Sequence, residues 1–318
     1  MQVLKDKMTF PVYFDSKKSL HLFNFFDNFE LLKNLYIKKK FPKVLMLTGI
    51  KGSGKSTLIN HLMFYIFDKN NYNIKINKYN PNSFFYSQFI NNIYPNIIYL
   101  SGTDFKSTKI EDIRNLKKQI FKTVISDMPR FIILDDVELF NKNSLNALLK
   151  TIEEPSENNY FLLINNKTKP LIETIQSRCL EIKILLNEKK RISITESLIK
   201  TFDIDLALDP YISKISPGYF IKFNYIFKKN NISQNENFLE NLAIFLNLYK
   251  KNKDIIYIDV ILFLTNNYFN TLKNKNSLSN LKIIEQKNFI FDNINKFFLY
   301  NLNQNTLLNS INNRIDDE

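Results

Sequence analysis

Gly49-Ile50-Lys51-Gly52-Ser53-Gly54-Lys55-Ser56-Thr57 is the stretch on which the reading of this chain turns. It satisfies the pattern G-x-x-x-x-G-K-[ST] and holds three of the five glycines in 318 residues. Val44 to Thr48, just before it, is an apolar run of strand length. Leu58, Ile59, Leu62, Met63 and Ile66, just after it, recur at helical spacing. A strand, a glycine turn and a helix in that order aim successive backbone N–H groups and the positive end of a helix at one point, which suits a polyphosphate. The expected cradle is Gly49, Gly52, Ser53, Gly54 and Thr57. Lys55 is expected to reach the β- and γ-phosphates, and the Ser56 hydroxyl to ligate Mg²⁺. A turn that binds nothing is the plain alternative; the flanking strand and helix weigh against it.

Phe131-Ile132-Ile133-Leu134-Asp135-Asp136 is the second informative stretch. Four large apolar residues ending in an acidic pair describe a buried central strand whose tip emerges beside the phosphate loop. Asp135 suits a magnesium carboxylate at that tip. Asp136 is a weak candidate for polarising an attacking water, because it is one methylene shorter than the glutamate often found there. Ordinary solvated acids at a strand end are the alternative.

Three more apolar runs read as strands: Ile97 to Ser101, Tyr160 to Ile164 (followed by Asn165-Asn166), and Leu180 to Ile184. Between them the spacing predicts a helix over 108–122 and another capped by Asn141 or Asn143. A short helix is expected at Ile172 to Ile175. Residues 19–40 read as one or two helices, a short strand is expected near Ile74-Lys75-Ile76, and a helix near Ser87 to Ile93. Five strands separated by helices predict an α/β fold with a parallel sheet covered on both faces and a ligand at the strands' carboxyl ends. Lys55, Asp135 and Asn165 or Asn166 all follow strand ends, so one site can gather them. Beyond Leu185 the pattern turns helical, with a break at Ser216-Pro217-Gly218, and from Ser233 onward it is almost wholly helical.

The formal charge is +13. Lysine excess fits a phosphate-bearing partner, but it equally fits the Lys-, Asn-, Ile- and Phe-rich composition, and no dense basic block stands out. The single Cys179 excludes an intrachain disulfide and a cysteine-rich zinc module. His21 and His61 have no partners at metal-ligand spacing. No secretory signal opens the chain and no apolar run is long enough for a bilayer, so a soluble, cytoplasmic protein is expected, with no membrane partner.

Gly49 to Thr57, Leu134-Asp135-Asp136, Asn146 to Pro155 and Ser177-Arg178-Cys179, in that order, resemble the AAA+ clamp-loader subunits of DNA replication. The run Asn146-Ala147-Leu148-Leu149-Lys150-Thr151-Ile152-Glu153-Glu154-Pro155 and the Ser-Arg-Cys triplet are the most specific parts. The resemblance implies an AAA+ domain over 1–185, a small helical lid over 186–230 and an all-α collar domain over 231–318. It is greatest to the delta-prime branch of bacterial DNA polymerase III, because several marks of the motor (gamma/tau) branch are missing. Asp136 replaces the motor's glutamate, Asn165-Asn166 stands where a threonine sensor is usual, and Tyr219 occupies the place of a sensor arginine. The four-cysteine zinc insertion is also absent. The branch implies a rigid, weak or inactive ATPase that helps load a sliding clamp onto primed DNA. It implies ATP or ADP with magnesium at the loop, and no zinc. The implied partners are the motor and clamp-opening subunits of a hetero-pentamer, with the clamp and primed DNA reached through the assembly. Arg178 would be its arginine finger, given in trans to a neighbour's nucleotide. An active motor subunit, or another AAA+ remodeller, is the alternative.

Overall fold

The computed structural model describes residues 10–102, 118, 120, 128–233, 237–274 and 280–316. Five parallel strands form the central sheet: β1 (Val44–Thr48), β4 (Ile97–Ser101), β5 (Arg130–Asp135), β6 (Asn159–Asn165) and β7 (Leu180–Lys183). Their order is β4-β5-β6-β1-β7, so β1 is inserted between two strands that lie more than 110 residues later in the chain. The expected architecture, a parallel α/β sheet with helices on both faces and helical segments after it, is the one found.

Strand alternation sorts the side chains into two cores. Leu45, Leu47, Phe131, Ile133, Leu162 and Ile164 face one side, which α1 (Phe26–Ile37), α2 (Lys55–Phe67) and α3 (Phe84–Ile90) cover with Phe29, Leu58, Leu62, Phe64 and Phe89. Val44, Met46, Ile132, Leu134, Phe161 and Leu163 face the other, where Leu145, Leu148 and Ile152 of helix Lys142–Glu153 pack. Fully burying a side chain such as Phe131 or Leu134 is worth roughly 1.5–3 kcal/mol before entropy is counted. The central strands are apolar at nearly every position because both faces are covered.

Local chemistry sets the helix starts. Asn141, rather than Asn143, caps its helix by accepting the Ser144 N–H at 2.8 Å. Asn187 does the same for helix Glu188–Phe202 through the Lys190 N–H. Ser216-Pro217-Gly218 is the start of helix Pro217–Lys229, with proline at the first helical position, where its missing N–H costs nothing.

Two expectations are corrected. Ile74 to Ile76 is not a strand but the turn of a small hairpin between β2 (Tyr72–Asn73) and β3 (Lys78–Tyr79). The apolar pair Ile74 and Ile76 mimics alternation, yet both are exposed. The residues from Ser19 to Phe25 are not helical, since His21 makes an antiparallel bridge to Lys78. The helix expected over 108–122 lies, apart from Lys118 and Ile120, outside the described residues.

The chain divides into two compact units, residues 1–204 with 214–222 and residues 205–213 with 223–318. In the second, helices Phe238–Asn252, Ile255–Asn274, Asn280–Tyr300 and Gln304–Asp316 pack on their neighbours. Leu242, Phe245, Val260, Ile261, Ile290, Ile294 and Ile311 fill its core at full burial. Among the described residues no helix is long and apolar enough to cross a membrane.

Candidate nucleotide-binding site

The phosphate loop leaves β1 and turns into α2 through two left-handed glycines, Gly52 at φ +77° and Gly54 at φ +96°. A Cβ on Gly54 would stand 2.9 Å from the Phe25 ring, and one on Gly52 only 2.4 Å from the Ser216 hydroxyl. Both positions therefore need glycine for conformation and for space. Leu58 is the first residue of α2 to reach back into the helix, its N–H donating to Gly54 O at 2.9 Å. The amides of Lys55, Ser56 and Thr57 lie before that first bond and point from the helix N-terminus, as an anion site requires.

Lys55 is 2% exposed, and its ammonium donates to Gly49 O at 2.8 Å, Ile50 O at 2.7 Å and Ser53 Oγ at 3.3 Å. Burial pushes its pKa down to about 8, while the carboxylates of Asp135, Glu138 and Asp136 work the other way. Asp135 ends β5 beside it. Its Oδ2 accepts the Ser56 hydroxyl at 3.0 Å and the Tyr99 phenol at 2.6 Å, and its Oδ1 accepts the Asp136 N–H at 2.9 Å. Burial raises the Asp135 pKa; these three donors oppose that rise and the charge of Asp136 adds to it. Asp136 itself is held in a left-handed backbone conformation, φ +51°, and its Oδ1 accepts the Asn166 amide at 2.6 Å.

These groups border a cavity of about 280 Å³ whose lining includes Gly52 to Thr57, Asp135, Asp136 and Asn166. Its far side is apolar and aromatic, with Phe14, Phe25, Leu198 and Phe202 among the lining residues. The residues fit a magnesium nucleotide. The free amides and Lys55 suit phosphates, and Ser56 Oγ and Asp135 Oδ2 are oxygen donors at one point, the few that Mg²⁺ takes from protein when phosphates supply the rest. Among the described residues there is no group of three or more His, Cys, Asp or Glu side chains that could hold a metal by themselves.

Three expected site residues stand apart. Gly49 supports the loop from behind, where a Cβ would lie 2.6 Å from Ile184 O. Asn165 does not line this cavity, although Asn166 does. Strand parity explains it, because Leu162, Ile164 and then Asn166 share the α2 face while Asn165 falls on the other. Arg178 is also outside the cavity. It is exposed, its Nε pairs with Glu153 Oε1 at 2.7 Å, and its Nη1 donates to Thr174 O at 2.7 Å. Cys179 is half-buried and its thiol pKa is pushed up to about 11 by burial, so it is no thiolate.

Sequence reasoning missed Tyr99, Glu138 and Lys17. Tyr99 was within reach of parity, since Ile97 and Tyr99 alternate onto the α2 face of the sheet. Lys17 stacks its ammonium 4.0 Å from the Tyr99 ring centre and bonds Asn92, joining a turn before α1 to the same network. Nothing in its local sequence announces that.

The family model described as DNA polymerase III, delta subunit, matches residues 27–188, about half of the chain. The chain belongs to the DNA polymerase III delta-subunit family. Kinship with the clamp-loader subunits, and with their delta-prime branch, is what the motifs led one to expect. The delta-prime subunit of Buchnera aphidicola subsp. Acyrthosiphon pisum is 29% identical over 214 residues, which cover 63% of this delta-family chain and 61% of that protein. The gamma subunit of Buchnera aphidicola subsp. Schizaphis graminum is 33% identical over 94 residues, 29% of this chain and 26% of that one. In each case the matched stretch is less than two thirds of the relative's own length. A solved gamma subunit-related protein from Thermotoga maritima aligns with a TM-score of 0.48 and 16% identity, covering 89% of this chain and 96% of that one.

Proposed function

We propose that this chain is a delta-prime-like, non-motor subunit of the DNA polymerase III clamp loader, acting in the cytoplasm within a hetero-pentamer that sets a sliding clamp on primed DNA. It holds ATP or ADP with magnesium at Gly52 to Thr57, with Ser56 and Asp135 toward the metal, and hydrolyses it weakly or not at all. Residues 186–230 serve as lid and 231–318 as collar.

The observation that carries the proposal is the state of Asp136. A water-polarising base must have a free oxygen within hydrogen-bond reach of the water. Asp136 is short, sits on a left-handed backbone and has one oxygen engaged by the Asn166 amide at 2.6 Å. Binding groups are assembled, while the hydrolytic candidate is short and already shares one of its two oxygens with Asn166. Arg178 supports the second half of the proposal. Exposed and outside its own chain's cavity, it suits a neighbour's nucleotide, exchanging Glu153 for phosphate oxygens. The gathering of Lys55, Ser56 and Asp135 at one cavity favours the second reading, an active motor subunit.

Steady-state ATPase of the isolated chain separates the two. Turnover near background is expected for the wild type, with a gain for Asp136→Glu; robust wild-type hydrolysis rejects the non-motor reading. In a reconstituted assembly Arg178→Ala is expected to leave nucleotide binding by this chain intact and to depress the assembly's ATPase. An undiminished assembly rate refutes the finger.

A further inference from the structure

The loop after β6 has a second face, away from the nucleotide cavity. Asn165 is 7% exposed and its Oδ1 accepts the Lys167 N–H at 2.8 Å, which fixes the amide's orientation. The Nδ2 group is therefore the end left over, and among the described residues no hydrogen bond uses it. That nitrogen is not among the buried unpartnered atoms, so it opens on solvent and is ready to donate to a bound acceptor. Asn165 lines a hollow of about 460 Å³ together with Lys167, Lys169, Gln176, Glu181 and Lys183.

The charges of this hollow are unbalanced. None of the three lysines forms an ion pair among the described residues. The one acid, Glu181, has its Oε1 engaged by the Thr48 hydroxyl at 2.5 Å. Alternation along β7 turns Glu181 and Lys183 to the same face, while Ile182 packs into the α2-side core. The loop is also rigidly held. Glu138, 5% exposed, accepts the Asn166 N–H at 3.2 Å, the Thr168 N–H at 3.3 Å and the Thr168 hydroxyl at 2.8 Å. Lys167 and Lys169 are thus carried on a clamped backbone.

We propose that this hollow binds a phosphate-type oxyanion, held by the Asn165 Nδ2–H group and the ammonium groups of Lys167, Lys169 and Lys183. Lysines act on phosphate as point charges and need no planar fork, and the oriented amide supplies the direction. The site is distinct from the phosphate loop, since parity sends Asn165 and Asn166 to opposite faces of the sheet. The same phosphate chemistry comes from a free ion or from a nucleic-acid backbone.

The test uses the full chain. Calorimetric titration with inorganic phosphate is run on the wild type, on Lys55→Ala, on Asn165→Asp and on the double variant Lys169→Gln/Lys183→Gln. Asn165→Asp keeps the acceptor for Lys167 and removes the donor. The two lysines are exposed, so the double variant keeps the fold. Binding is expected to persist in Lys55→Ala and, with Lys55→Ala added to silence the phosphate loop, to weaken by about tenfold or more in each hollow variant. Anisotropy of a labelled single-stranded oligonucleotide gives the source. A parallel loss in the hollow variants assigns a nucleic-acid backbone, whereas loss of phosphate binding alone assigns a free ion. Phosphate affinity unchanged in both hollow variants, or abolished by Lys55→Ala alone, overturns the proposal.

Discussion

The rim around Lys55 and the corner around Arg178 lie in the same compact unit and handle charge in opposite ways. At the rim, Lys55 is 2% exposed and bound to two carbonyls and a hydroxyl, and Asp135 takes three donors. At the corner, Arg178 and Glu153 pair with side chains 37% and 40% exposed. A buried charge must have fixed partners, because an unpaired one is heavily penalised. An exposed pair gains little from its contact and is easily exchanged. The rim is therefore preorganised by this chain's own fold, while the corner remains available to another surface.

The largest expected effect comes from the clamp under the rim. Glu138→Ala strands the three donors of Asn166 and Thr168 and is expected to cost about 3 kcal/mol in urea unfolding. A cost near zero would mean that burial does not distinguish rim from corner.

Next in size is a pH effect that carries the comparison to a buried neutral group. His61 is fully buried in α2, between the Tyr72 hydroxyl at 2.9 Å and Ser19 O at 3.0 Å. Burial depresses its pKa from 6.5 to about 3, so between those values the unfolded chain binds a proton that the folded chain does not. Its contribution to stability is present above pH 6.5 and is lost as pH falls toward 3. From pH 6.5 to 4.5 the wild type is expected to lose about 2 kcal/mol more than His61→Gln, from urea melts at each pH. Parallel pH profiles for the two proteins would contradict this.

The smallest effect belongs to the corner. Glu153→Ala is expected to change unfolding stability by less than about 0.5 kcal/mol. A cost comparable to that of Glu138→Ala would show that Arg178 is structurally committed and would weaken its assignment to a neighbour.

Much of this was legible in sequence because it follows backbone periodicity. The β1–loop–α2 unit, the acidic tip of β5 and the five strands announce themselves within short windows. Parity along β6 even tells Asn166 from Asn165 once the strand's bounds are known. Ile74 to Ile76 misled because two apolar residues on a turn copy strand alternation without burying anything. Parity gives the face of Tyr99 but not its partner Asp135, and Glu138 was missed likewise, because such partners depend on which segments are neighbours in space.

The residues alone therefore determined the α/β class, the phosphate-loop motif and the placing of Lys55 and Asp135 after strand ends, since chain stereochemistry and the need to bury apolar faces leave few alternatives. Tertiary structure decided the rest. Inserting β1 between β6 and β7 brings Thr48 to Glu181, and pairing β4 with β5 brings Tyr99 to Asp135. Packing likewise leaves Arg178 on Glu153 in solvent rather than in the cavity. Those contacts join residues 25 to 133 positions apart, and only the folded packing, not any local preference, selects them.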